Sequence, residues 1–90
     1  MVKISEFQNM KIYVFNEKGG KHHTPHIHVY YGKGKYTFTL NGTDLTPKKK
    51  LPTKQRKLIQ AWLILHHKEV QQAYSDVMKG KHPKEIRGLM

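Results

Sequence analysis

The stretch HIHVYYGKGKYTFTL, residues 26–40, decides the fold. Two runs rich in β-branched and aromatic residues, 26–31 and 36–40, flank Gly32-Lys33-Gly34-Lys35. That pattern predicts a β-hairpin. Strand side chains alternate in direction, so Ile27, Val29 and Tyr31 point one way and His26, His28 and Tyr30 the other. In the second run Tyr36, Phe38 and Leu40 alternate with Thr37 and Thr39.

Upstream, ISEFQNMKIYVF at 4–15 is a strand, or two short ones with an irregularity, ending at the turn formers of NEKGGK. Downstream, NGTDLTPKKKLP at 41–52 holds two prolines and serves as the main loop. Beyond it the period changes. Leu58, Ile59, Trp62, Leu63, His66, Val70, Ala73, Tyr74 and Val77 recur at spacings of three and four, the buried stripe of an amphipathic helix over about 53–79. Pro52 suits the first turn, and Gly80 the position past the end. Such a helix would be about 40 Å long and would overhang a three-stranded sheet. Ile86 and Leu89 in the closing segment are placed to tuck back onto the body.

The expectation is a single α+β domain over residues 1–90, a small three-stranded antiparallel sheet with one long C-terminal helix packed on one face. The helix has one apolar stripe and covers one sheet face, that of Ile27, Val29, Tyr31, Tyr36, Phe38 and Leu40. His26, His28 and Tyr30 are then expected on an open face, where replacing either histidine leaves the fold intact. His66, inside the stripe between Trp62 and Val70, reads as a core histidine satisfied by a backbone or hydroxyl partner. His67 and His82 read as surface residues.

Composition limits the chemistry. The 90 residues contain no cysteine, which excludes disulfides, thiolate metal sites and cysteine nucleophiles. No apolar run approaches a membrane span, and the N-terminus lacks the features of a secretory signal, so the expected location is the cytoplasm. Seventeen Lys and Arg against six Asp and Glu give a formal charge of +11, which favours polyanionic partners and above all nucleic acid. Lys33 and Lys35 in the hairpin turn are one candidate phosphate contact. A second is the cluster Lys48, Lys49, Lys50, Lys54, Arg56 and Lys57, crowded at a helix N-terminus whose dipole already disfavours cations and attracts anions.

KHHTPHIHV, residues 21–29, concentrates four of the seven histidines. His26 and His28 on one strand face, with His22 and Tyr30 as further candidates, have the composition of an acid–base pair able to cleave RNA through its 2′-hydroxyl without metal. A metal held by His22, His26 and His28 is the competing use. It is disfavoured because no acidic residue lies between Glu17 and Asp44 to orient the ligands, and because the field repels cations. Neither metal nor cofactor is therefore expected.

The order H-x-x-P-H-x-H-V, a strand, L-P, then a helix with W-x-x-x-H and an Ile-x-x-Leu tail resembles domain-of-unknown-function family 4160, small bacterial proteins. The residues are His22, Pro25, His26, His28, Val29, Leu51, Pro52, Trp62, His66, Ile86 and Leu89. Lys21 and Thr24 stand where family members commonly carry an acidic residue and a second proline. Such proteins are often encoded beside one of domain-of-unknown-function family 2442, which implies a two-gene module of toxin–antitoxin kind. The leading expectation is an RNA-binding protein. The alternatives are a metal-independent endoribonuclease and an interaction module for an acidic protein partner.

Overall fold

The fold is that of a computed structural model, which describes residues 2–16, 24–46 and 49–89. Four strands, β1 (Val2–Phe7), β2 (Met10–Val14), β3 (His26–Tyr31) and β4 (Gly34–Thr39), form an antiparallel sheet in sequential order. Two helices follow, α1 (Thr53–Leu65) and α2 (His67–Met78).

The sheet has four strands where three were expected, because residues 4–15 turn back on themselves at Gln8-Asn9. Both residues take positive φ, 49° and 64°, the signature of the tight two-residue turn whose twist matches antiparallel strands. Asparagine tolerates that conformation; Gln8 does not favour it, and no glycine marks the turn in the sequence. The predicted 26–40 hairpin is present, its two-residue turn opened by Gly32 at φ 58°.

The single long helix is corrected to two helices meeting at His66, whose φ of −112° and ψ of 27° interrupt the spiral. An unbroken helix of about 40 Å would outrun a molecule whose longest extent is 33 Å. The break lets Ile59, Trp62 and Leu63 of α1 and Val70, Ala73 and Val77 of α2 join one core with Met10, Ile12, Val14, Ile27, Val29 and Phe38. His66 is thus a junction residue and not a core one. Its half-buried ring lies against Trp62, and its Nδ1 pairs with Glu69 Oε1 at 2.7 Å. Glu69 sits in the first turn of α2, where the helix dipole favours a carboxylate.

The tail closes the structure. A bulge between Lys3 and Ser5 puts both Ile4 and Ser5 indoors. The Ile86 amide donates to Ile4 O at 2.7 Å, Ser5 Oγ donates to Ile86 O at 2.7 Å, and Trp62 Nε1 donates to Arg87 O at 2.9 Å. A β-carbon at Gly88 would stand 2.5 Å from Phe7 Cβ, so only glycine passes there. No helix among the described residues is long and apolar enough to cross a membrane.

Candidate nucleic-acid interface

Strand register fixes which side chains share the sheet face away from the core. Across it run three rows: Glu6, Lys11, Tyr30 and Lys35; Lys3, Tyr13, His28 and Thr37; and His26 with Thr39. The alternation read from the sequence therefore holds, but the openness does not. His26 and His28 are each only 4% exposed. The expectation that both were accessible is corrected by aromatic packing. Phe15 lies 4.3 Å from the His28 ring, and the two imidazoles meet edge to face at 5.1 Å.

The imidazoles are also tied down. A carbonyl oxygen can only accept, so the 2.8 Å contact to Thr24 O places a proton on His26 Nδ1. His28 Nδ1 lies 3.4 Å from Thr37 Oγ1, a long contact across the strand pair. His22 lies outside the described residues. Among those described, no group of three or more His, Cys, Asp or Glu side chains is arranged to hold a metal ion.

Further along the same face Tyr13 and Tyr30 form a T-shaped pair at 5.3 Å, both half-buried. With Asn9, Lys11 and Gly32 they line a cleft of about 290 Å³ between the turns of the two hairpins. Around the β3–β4 turn a second cleft of about 340 Å³ is lined by Tyr31, Gly32, Lys33, Gly34, Tyr36, Lys49, Lys50 and Pro52. The tertiary structure thus brings Lys33, from one basic candidate cluster, together with Lys49 and Lys50 from the other. Gly32 borders both clefts; no acidic residue lines either, although Asp44 Oδ2 stands 4.0 Å from Lys50 Nζ and Glu6 is paired opposite Lys11.

The other basic candidates separate. Lys35 Nζ stands 4.9 Å over the Phe15 ring on the sheet face, a cation–π contact. Lys54, Arg56 and Lys57 lie on the first turns of α1, which has no side-chain cap and no acidic residue there. Lys48 lies outside the described residues. Sequence reasoning missed Asn9, Lys11 and Tyr13, which sit in or beside a turn carrying no glycine or proline signal.

Acidic side chains gather elsewhere. Glu69, Asp76 and Glu85, three of the chain's six acidic side chains, line a cleft between α2 and the tail together with Lys84. Two further carboxylates lie at the basic clefts, Asp44 at 4.0 Å from Lys50 Nζ and Glu6 opposite Lys11 across β1–β2.

A family model described as Domain of unknown function (DUF4160) matches residues 9–75. The chain belongs to that family. The DUF4160 match spans β2 to most of α2 and includes both clefts, whereas all of β1 and the tail that packs on it lie outside. Comparison with curated proteins found no match, and comparison with solved structures found none.

Proposed function

We propose that this DUF4160 protein binds RNA, with phosphates held in the cleft of Lys33, Lys49 and Lys50. The observation that carries the reading is the convergence of two basic segments, 16 residues apart in sequence at Lys33 and Lys49, around one concave surface lined by three lysines, with the Asp44 carboxylate 4.0 Å from Lys50 Nζ. Three ammonium groups, that of Lys50 already in ion-pair range of Asp44, and the uncapped start of α1 on one side suit a polyanion better than a neutral ligand. The Lys33→Gln, Lys49→Gln, Lys50→Gln triple variant should weaken binding to labelled RNA whatever its sequence. It should also flatten the log–log salt dependence by roughly 2 for single strands. An unchanged salt slope would move the phosphate site elsewhere.

The endoribonuclease alternative requires imidazoles open to a scissile phosphate, and at 4% exposure His26 and His28 present almost no surface to one. The interaction-module alternative has an observation of its own. Ile64 and Leu65, at the end of α1, are 75% and 68% exposed beside His67 and Lys68. An apolar pair on a chain of charge +11 suits an acidic protein and disfavours a second copy. Copurification with the product of the neighbouring gene, lost in Ile64→Ser, Leu65→Ser while RNA binding persists, would support it.

A further inference from the structure

We infer that the cleft of Asn9, Lys11, Tyr13, Tyr30 and Gly32 is a subsite for one unpaired nucleobase, making single-stranded RNA the substrate class. This rests on the RNA-binding reading and names what the second cleft adds to it. A volume of about 290 Å³ lies at the small end of ligand pockets. Its aromatic walls are only half-buried, although β2 and β3 are central strands. In a T-shaped pair, at least one face of each ring is left uncovered by the other, and a flat base stacks on such a face.

The polar groups around the rings are complementary to a nucleotide. Lys11, directly opposite Tyr30 on one neighbouring strand and Glu6 on the other, carries the charge for a phosphate, while Glu6 is itself engaged by Lys3 at 2.8 Å. Asn9 is held at φ 64° on the turn above, and its carboxamide has both donors and acceptors for a base edge. Gly32 has nothing within 4 Å of where a β-carbon would stand, so the border shared with the lysine cleft is unobstructed. A strand can then run from a stacked base at Tyr13–Tyr30 over Gly32 to phosphates at Lys33, Lys49 and Lys50. In a duplex the base faces are occupied by neighbouring bases, so this path requires an unpaired nucleotide.

The test is fluorescence anisotropy with labelled single-stranded oligoadenylate and oligouridylate and with an RNA duplex of equal length. The wild-type chain should prefer the single strands. Tyr30→Ala should lose roughly 5- to 150-fold in single-strand affinity with the salt slope kept, and Tyr30→Phe, which retains the ring, should restore it. Because Tyr30→Ala removes a packed ring, exposed Lys11→Gln and Asn9→Gly serve as second variants. The first should weaken binding and lower the slope by about 0.7, and the second should narrow any preference between the two oligomers. Equal affinity of wild type for duplex and single strand, or wild-type binding by Tyr30→Ala and Lys11→Gln alike, overturns the subsite alone. No binding of any RNA by the wild type overturns the RNA reading with it.

Discussion

The two faces of β3 use one backbone to opposite ends. Ile27 and Val29 pack against helices on one side, in a core of aliphatic and aromatic side chains. On the other side His26 and His28 are almost equally buried under rings and hydroxyls, and two positions along Tyr30 stands half-exposed beside lysines. A sheet face without a helix is thus not an open face. Hydrocarbon burial needs only complementary shape, whereas each buried imidazole also needs partners for its nitrogens. The face away from the helices accordingly carries the imidazole hydrogen bonds, and among its described residues Lys11 and Lys35, at its hairpin-turn end, are exposed.

The largest expected effect tests the helix-covered face. Trp62 is fully buried, contacts Phe7 at 5.5 Å and donates its indole N–H to the tail. Trp62→Ala should cost about 3–5 kcal/mol in chemical denaturation, enough to unfold much of a domain this small. A change below 1 kcal/mol would show that the tail and α1 do not seal the core together.

Next comes the opposite face. His28→Ala removes a ring packed on Phe15 and His26, and should cost on the order of 1–3 kcal/mol by thermal or urea melting. Under the open-face expectation the same substitution would change stability by no more than about 0.5 kcal/mol. A silent His28→Ala would restore that expectation and reopen the acid–base reading of the histidines.

Gly88→Ala examines how the tail adds to both. With Phe7 Cβ 2.5 Å from the new methyl, the tail must shift, at a cost of about 1–3 kcal/mol. Hydrogen exchange should show the Ile86 amide losing protection first. Protection unchanged from wild type would mean that the tail accommodates the methyl without leaving β1.

The smallest expected effect is at Ile64 and Leu65. Serine at either position should leave the melting midpoint within about 0.5 kcal/mol of wild type, because neither side chain contributes to the core. A loss as large as that of His28→Ala would place the pair inside the fold rather than on its surface.

How much of this was legible in the sequence depends on whether a local signal existed. The 26–40 hairpin carried glycines and alternation, and it formed as read. The 8–9 turn carried neither, so β1 and β2 merged into one predicted segment. The helical stripe identified Ile59, Trp62, Leu63, Val70, Ala73 and Val77 correctly. It ran in unbroken phase through His66 and so concealed the break, which no glycine, proline or capping residue announces. The lysines were visible as two clusters, and their meeting at one cleft was not.

By itself, then, the sequence determined the α+β class, the side of the sheet on which each β3 residue lies, the apolar stripe and the excess of positive charge. These are properties of local periodicity and composition, set by backbone geometry within a few residues. Only the tertiary structure decided how deeply His26 and His28 are buried, where the helix breaks and which lysines share a surface. Each of those depends on what chain segments far apart in sequence bring against one another. The +11 charge was countable from the residues; that Lys33 meets Lys49 and Lys50 at one cleft, and that Glu69, Asp76 and Glu85 share another with Lys84, required the fold.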